Sequence, residues 1–209
     1  MGSELPKQFL TIHGKPIFLY SIDAFLAAFD DIEILLVMPL AYHDFAHKII
    51  EEANYDINRI KIIPGGKTRF HSVQNGLNAL LGDGVVFIHD AVRCLASVDL
   101  IQRCYDSCIE YGSAIPVLEV KDSIRKVNPN GTSEIIDRES LRIIQTPQTF
   151  YANEIKSAFN IDYSSTFTDE ASVMDATGFK LTLIKGEESN IKITFPNDLV
   201  FAEWKLGLR

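Results

Sequence analysis

The sequence predicts an α/β protein with a doubly wound, mostly parallel sheet from which a β-hairpin arm projects. Short apolar runs recur along the chain, and such runs are typical of strands buried on both faces of a sheet. Segments of helical periodicity lie between them, which favours right-handed βαβ units. No repeat or linker divides the 209 residues, so we expect a single domain that includes the arm.

Each expected element follows from its own run of residues. The strands are predicted at 32–38, 60–63, 85–88 and 114–118, and the helices between them at about 17–29, 40–53, 69–81 and 98–111. The second half is predicted to hold helices at about 151–160 and 169–177, strands at 180–185 and 190–194, and a helix from Pro196. Residues 119–145 are polar and contain the turn signal Asn128-Pro-Asn-Gly131, which predicts the hairpin arm.

Composition and charge exclude several classes of function. Hydrophobic residues make up 46% of the chain, charged residues 23%, and the net charge is -8. A pI of about 5.1 argues against a general nucleic-acid or membrane-surface binder, so we expect neither partner. We find no signal peptide and no apolar run long enough to span a membrane, so we expect a cytoplasmic protein.

The cysteines indicate neither disulfides nor a metal site. There are three, Cys94, Cys104 and Cys108, and an odd number does not suggest a disulfide framework. Cys104 and Cys108 could share one helix face, but no two further ligands lie near them in the sequence, so we expect no protein-bound metal. Small, partly buried thiols in a reducing compartment explain the pattern.

Two loops before expected helices carry groups suited to phosphates and bases. Lys7 lies in Pro6-Lys7-Gln8, where an ordinary solvated lysine is the alternative interpretation. Gly65 and Gly66 expose backbone groups to close approach by a planar or anionic ligand, and the helix start after them adds positive potential. A glycine pair alone is also common in plain turns.

The run His89-Asp90-Ala91-Val92-Arg93 follows the expected strand 85–88 directly. Ligands of open α/β sheets bind beyond the carboxyl ends of the strands, where a carboxylate can face a ribose or help to hold a metal ion. The alternatives are a capping role for Asp90 and a surface ion pair for Arg93. Lys192 alternates with Ile191 and Ile193 on an expected strand, which a solvent-facing lysine would also explain.

The motifs together resemble a known family. In chain order they are PKQFL, GG-x-x-R-x-x-SV-x-NGL, HDAVR, VKDSIRKV, DRESL, QTPQTF, TDEAS and NIKIT, and they span nearly the whole chain. This set resembles the 2-C-methyl-D-erythritol 4-phosphate cytidylyltransferases. The resemblance implies a Rossmann-like nucleotidyltransferase fold and an enzyme that joins CTP to a sugar-alcohol phosphate. Ribitol-5-phosphate cytidylyltransferases, a sister family, share the nucleotide motifs and remain an alternative.

The resemblance also implies a role for each matching residue. Lys7 would contact the triphosphate and Lys192 would stabilise charge at the α-phosphate, which makes these two the catalytic residues. The nucleotide would be bound by Gly65, Gly66, Ser72, Asp90 and Ala91. The sugar phosphate would be bound by Arg93, Ser123, Arg138 and Thr146. The family's arm crosses a dimer interface, which implies a homodimer in which Ser123 and Arg138 serve the neighbouring subunit.

The chemistry of the implied reaction agrees with these residue types. Two polyanions must meet and charge develops on the transferring phosphorus, so positioning and positive charge carry most of the catalysis. Lysine and arginine supply that charge, and Mg²⁺, held mainly by the substrate phosphates, bridges phosphate oxygens. A substrate phosphate is already ionised at neutral pH, so hydrogen-bonded structural roles are expected for His71 and His89.

The chain departs from the family pattern mainly at its start. The family opens with a buried central strand and a glycine-rich loop that ends in arginine next to Met-Gly, whereas this sequence begins at Met1-Gly2. We therefore expect that strand and loop to be missing and the chain as given to have little activity. A nucleotide-binding protein without catalysis is the second alternative. Cys94 and Phe195 replace a usual proline and a frequent threonine without removing a charge.

Overall fold

A short hairpin and an apolar helix open the part of the chain that the computed structural model describes, residues 6–208. Strands β1 (Thr11–Ile12) and β2 (Lys15–Pro16) pair around His13-Gly14, where both residues adopt positive φ and so close a tight turn. The first long helix follows at once after Pro16, whose ring fixes φ near the helical value, and the side chains of Ile17 and Phe18 enter the core.

The remaining elements alternate as the apolar runs predict. The strands are β1 (Thr11–Ile12), β2 (Lys15–Pro16), β3 (Ile34–Met38), β4 (Ile60–Pro64), β5 (Val85–Ile88), β6 (Ser113–Glu119), β7 (Arg125–Val127), β8 (Ser133–Ile135), β9 (Arg142–Ile144), β10 (Gln148–Tyr151) and β11 (Leu183–Lys185). The helices are α1 (Ile17–Ala28), α2 (His43–Glu52), α3 (Arg69–Ala79), α4 (Val98–Tyr111), α5 (Ala152–Ala158), α6 (Glu170–Ala176) and α7 (Pro196–Leu206). None of the helices within residues 6–208 combines the length and the apolar character that crossing a bilayer requires.

The central sheet is mixed and has the order β11-β6-β10-β5, with β9 added beside β6. Strand β10 runs antiparallel to both β5 and β6, whereas β11 runs parallel to β6. The α/β fold with helices packed around a central sheet is confirmed. The sequence pattern did not predict β10, since Gln148 and Thr149 are polar although both are fully buried.

A separate parallel pair, β3 and β4, continues the layer beyond β5. Strands β3 and β5 both line an apolar cavity of about 400 Å³, together with residues of α1 and α3. Within residues 6–208, β3 pairs only with β4, and β5 pairs only with β10. Each of these strands therefore has one edge without a strand partner, and the cavity reaches Asp90 and Ala91 at the end of β5.

The largest core cluster holds β6, β10, α5 and α6 together. Ile115, Phe150 and Ile155 have no exposed surface, and the ring of Phe70 in α3 stacks on Phe159 with 4.8 Å between centroids. A second cluster packs α1 and α2 against the β3–β4 pair around Phe18. Burial of such side chains is the main stabilising contribution to the fold.

The hairpin arm is also confirmed as a structural element. Strands β7 and β8 pair, and the amide of Gly131 donates to the Asn128 carbonyl at 2.9 Å to close the predicted turn. The strand residues of this hairpin are exposed, and β9 then returns the chain to β6. The structure thus shows an arm that contributes little to the core of its own chain.

One predicted strand is wrong. Residues 190–194 form no strand. The backbone amides of Asn190 and Ile191 donate within local turns, and the amide of Ile193 makes a single bond to another segment, to the Val92 carbonyl at 3.0 Å. The alternation of burial nevertheless persists, since Ile193 is 1% exposed and the Lys192 side chain is 48% exposed.

Candidate active site

The candidate site lies where several strands end. Asp90 follows β5, and the Gly65 amide after β4 donates to the carbonyl of Met38 at the end of β3, at 2.8 Å. The loops after β3, β4 and β5 therefore converge on one edge of the layer. This is the edge at which α/β proteins bind ligands.

Asp90 is the centre of a cluster of charges. Its carboxylate lies 3.0 Å from Lys192 Nζ, 3.5 Å from Arg93 Nε and 3.4 Å from Arg69 Nη2. Burial alone would raise the pKa of Asp90, but Arg69, Lys192 and Arg93 outweigh it and hold the pKa below its ordinary value. The site therefore presents an ionised carboxylate among three cations, so the cluster carries net positive charge.

Arg69 connects this cluster to a buried carboxylate that sequence reasoning did not select. Its guanidinium donates to Glu170 through Nη1 at 2.5 Å and Nη2 at 2.9 Å, in a bidentate pair. Burial raises the pKa of Glu170, and Arg69 offsets that rise in part. The GG-x-x-R and TDEAS motifs contained both residues, but nothing in their spacing showed that they meet.

The glycine pair forms a tight loop that Ser72 closes. The Gly66 amide donates to Ser72 Oγ at 3.0 Å, and Ser72 Oγ donates to the Thr68 carbonyl at the same distance. A Cβ at residue 66 would lie 2.4 Å from the Cβ of His71, so only glycine fits there. Gly65 is close to the Met38 backbone. The structure thus joins Gly66 and Ser72 in one turn directly after Gly65, and their role in nucleotide binding stays a prediction.

Lys7 reaches the segment that contains Lys192, although the two candidate catalytic lysines stand near opposite ends of the chain. Lys7 Nζ donates to the Thr194 carbonyl at 2.7 Å, two residues after Lys192. Lys192 in turn reaches Asp90. The structure therefore places Lys192 against Asp90 and ties Lys7 to the backbone two residues beyond Lys192.

Thr146 and Arg93 form another wall of the site. Thr146 Oγ1 accepts from the Asp90 amide at 3.0 Å and lies 3.1 Å from His89 Nδ1. Arg93 Nη1 donates to the carbonyl of Asn190 at 2.8 Å, and the Asn190 side-chain amide donates to the Thr146 carbonyl at 2.8 Å. Asn190 is fully buried, so this wall is fixed by the core.

The candidate residues in the arm are not joined to this cluster. Ser123 is exposed, and Arg138 Nη1 donates to the Lys121 carbonyl at 2.6 Å within the arm. Arg138 also lines a polar groove with Glu119, Glu139 and Arg142. Ala91, by contrast, lies beside Asp90 and packs against the cluster of α1, α2, β3 and β4.

Burial also sets the protonation state of His89, which follows β5 directly. It lowers the pKa of His89 to about 4, so the ring is neutral at pH 7 and forms hydrogen bonds with Thr146 and the Arg93 carbonyl. Across residues 6–208, no three side chains of histidine, cysteine, aspartate or glutamate form a group that could hold a metal ion. The protein groups at this edge are instead suited to binding polyanions.

A glycine loop and cations that converge at the carboxyl edge of an α/β layer suit the binding of a nucleoside triphosphate, as in the nucleotidyltransferases. A family model described as 2-C-methyl-D-erythritol 4-phosphate cytidylyltransferase matches residues 1–207. The chain belongs to this family.

Individual relatives agree with the family match. A protein of this name from Bacteroides fragilis is 43% identical over 202 residues, covering 97% of this chain and 91% of the relative. The crystal structure of the Thermus thermophilus enzyme has a TM-score of 0.78 at 29% identity, covering 97% of this chain and 94% of that one. A 4-diphosphocytidyl-2C-methyl-D-erythritol synthase from Anaerococcus prevotii gives 0.85 at 26% identity, with coverage of 96% and 93%.

Proposed function

We propose that this chain transfers a cytidylyl group from CTP to 2-C-methyl-D-erythritol 4-phosphate, a step in the synthesis of isoprenoid precursors by the non-mevalonate route. The observation that carries the proposal is the Asp90 cluster with Lys192 and Arg93 at the carboxyl edge of the sheet. Membership of the family supports the same assignment. The relatives named above bear the methylerythritol name, which favours this substrate over ribitol 5-phosphate.

The reaction joins two substrates without a covalent bond to the protein. A phosphate oxygen of the sugar phosphate attacks the α-phosphorus of CTP, and the bond from that phosphorus to the bridging oxygen of the β-phosphate breaks. The products are a cytidine diphosphate sugar alcohol and pyrophosphate. The chain's part is to align the two polyanions and to stabilise the charge that develops between them.

The nucleotide half of the site is the glycine loop together with Asp90. Gly65, Gly66 and Ser72, of which Gly66 and Ser72 are joined by a hydrogen bond, would bind the cytosine edge. The Asp90 carboxylate and the Ala91 backbone face the ribose. Lys7 and Lys192 place positive charge beside the triphosphate, and their ammonium groups suit the changing geometry of the transferring phosphate.

The sugar-phosphate half is the wall built by Arg93 and Thr146. Arg93 is positioned by the carbonyl of Asn190 and can offer its guanidinium to a phosphate. Ser123 and Arg138 would complete this half from the arm of a second subunit, so the chain would act as a homodimer through residues 119–145. Exposed apolar side chains of the arm, including Val127 and Ile135, support such a contact.

Mg²⁺ is the proposed cofactor. The residues described offer no carboxylate cluster for it, and the Asp90 carboxylate is surrounded by three cations. This arrangement suits an ion held mainly by substrate phosphates, where it would neutralise charge on the leaving pyrophosphate. We place the reaction in the cytoplasm, and three buried cysteines that form no disulfide accord with a reducing compartment.

Pyrophosphate release from CTP and Mg²⁺ tests the proposal. The protein is given methylerythritol phosphate or ribitol phosphate in separate assays. We expect release with methylerythritol phosphate and a loss of about a hundredfold to a thousandfold in rate for Lys192→Ala. Lys61→Ala, which removes a surface lysine paired with Glu33, is the control and should leave the rate unchanged. Release with ribitol phosphate alone would move the chain to the sister activity.

A further inference from the structure

We propose that Glu170 is a positioning residue for nucleotide binding, which acts by holding Arg69 against Asp90. The inference rests on the proposed function, because it concerns the site where the ribose of CTP would lie. None of the roles assigned above involves Glu170. Its carboxylate has no exposed surface, so it cannot touch a substrate itself and must act through the side chain that it binds.

The distances around Arg69 indicate that Glu170 positions Arg69, and that Arg69 in turn acts on Asp90. Both terminal nitrogens donate to Glu170, at 2.5 and 2.9 Å, whereas its Nε and Nη2 lie 3.4 Å from Asp90 Oδ1. The short bidentate pair fixes the plane of the guanidinium, and the longer contacts leave Asp90 able to exchange partners. Glu170 therefore sets where the positive charge beside Asp90 lies.

Glu170 is itself held by a rigid support. Its neighbour Asp169 caps α6 by accepting from the Ser172 amide at 2.9 Å. Gln148 of β10, also fully buried, donates to Asp169 at 2.9 Å and accepts from the Ala171 amide at 2.7 Å. These bonds lie on both sides of Glu170 in the sequence, so its backbone is fixed to the centre of the sheet.

The contact also joins the first residue of α3 to α6, two helices that share a core cluster through Phe70 and Ala171. Arg69 begins α3, directly after the glycine loop, whereas Glu170 belongs to the part of the core built on β10. Through this pair the first residue of α3, and with it the Ser72 turn, is tied to the loop of Asp90. Loss of the pair should loosen the nucleotide half and leave the Arg93–Thr146 wall in place.

CTP binding by calorimetry, together with steady-state kinetics, tests the proposal. Glu170→Gln keeps the shape and removes the charge, and we expect it to weaken CTP binding by about tenfold or more, the size of a lost charge-assisted hydrogen bond. The KM for methylerythritol phosphate should remain within about twofold of the parent. Glu170→Asp, which retains the charge, should recover part of the CTP affinity.

A double-mutant cycle separates positioning from a general structural effect. If Glu170 acts through Arg69, then Glu170→Gln should add little to the loss of CTP affinity in Arg69→Gln. Glu154→Gln is the matched control, since Glu154 is a half-buried carboxylate of α5 and takes no part in the Asp90 cluster. The control should bind CTP as the parent does.

Two results would overturn the proposal. One is a folded Glu170→Gln protein that binds CTP with the parent's affinity. The other is an equal weakening for both substrates that merely follows the loss of thermal stability. If the parent chain binds CTP but makes no product, the proposed function fails, while the affinities still decide the role of Glu170.

Discussion

The layer has two halves, the central sheet that ends at β5 and the separate β3–β4 pair beyond it, and they differ in how completely they are covered. On the β10 side, Phe150 and Ile115 have no exposed surface, and both β6 and β10 pair on both edges. On the β3 side, all four residues of β5 are only partly buried, and an apolar cavity separates β5 from β3. The Arg93–Thr146 wall belongs to the covered half, and the glycine loop belongs to the open half.

This difference separates the site residues that are held in place by the core from those that are held by a few local hydrogen bonds. Thr146 and Asn190 are 4% and 0% exposed and are fixed by the packing around them. Gly66 and Ser72 are positioned by hydrogen bonds within one turn, and Arg69 ties that turn to the other half. Changes in the covered half should therefore reduce stability, and changes in the open half should reduce nucleotide affinity.

An additional strand in the open half should have the largest effect on the reaction rate. An added segment before Met1, with an apolar strand and a glycine-rich loop ending in arginine, is expected to pair with the edges of β3 and β5 that have no strand partner within residues 6–208. We expect pyrophosphate release to rise on the order of a hundredfold or more, because the loop adds phosphate-binding groups next to Asp90. The melting temperature should rise as well.

The matched control carries the same extension with two prolines inside the added strand, which prevent it from joining a sheet interior. This control should lose most of both gains. An extended chain with unchanged rate and unchanged melting temperature would show that the cavity does not accept a strand.

A pair of equal substitutions in the two halves compares their packing directly. Ile115→Ala on β6 should lower the free energy of unfolding by about 2–5 kcal/mol, because it leaves a cavity in a fully buried layer. Ile34→Ala on β3 should lower it by only about 1–2 kcal/mol, since its side chain is already partly exposed. Urea unfolding measures both, and equal losses would contradict the difference between the halves.

The same difference explains how far the sequence alone predicts the fold. Strands β3, β4, β5 and β6 were predicted because both of their faces are apolar and glycine, proline or charge bounds them. Strand β10 is not predicted from the sequence, because its buried Gln148 is polar. Its hydrogen-bond partners, Asp169 and Ala171, come near only in the folded chain. The predicted strand at 190–194 was wrong for the opposite reason, since its alternation of burial arises without a sheet partner.

The candidate site was predictable where one motif contains a whole structural unit. Gly66 and Ser72 are such a unit, and Asp90 with Arg93 is another, and the structure brings together the residues of each. The contact between Arg69 and Glu170 joins positions 101 residues apart, so no local pattern could predict it. The roles of Ser123 and Arg138 and the dimer remain predictions.

The pH dependence of stability tests the boundary between the two halves, where His89 lies. Burial lowers its pKa to about 4 in the folded chain, against an ordinary 6.5. Between these values the unfolded chain binds a proton that the folded chain does not, so the free energy of unfolding should fall as pH is lowered from 6.5. The slope due to His89 should approach about 1.4 kcal/mol per pH unit.

His89→Gln supplies the control for this titration, because glutamine can form hydrogen bonds and does not titrate. Urea unfolding of both proteins between pH 7 and pH 5 should give a smaller slope for the variant. Equal slopes would mean that His89 takes up its proton without unfolding and that the boundary admits water.

The smallest expected effect concerns the local bonds of the open half. Ser72→Ala removes the acceptor of the Gly66 amide and the donor to the Thr68 carbonyl, and it leaves the core untouched. We expect the KM for CTP to rise about fivefold, the size of one neutral hydrogen bond, with less than about 1 kcal/mol lost in stability. Ser164→Ala, in a surface loop, is the control and should change neither. A Ser72→Ala protein that loses affinity for both substrates equally would place Ser72 in the shared framework of the site and not in the nucleotide half.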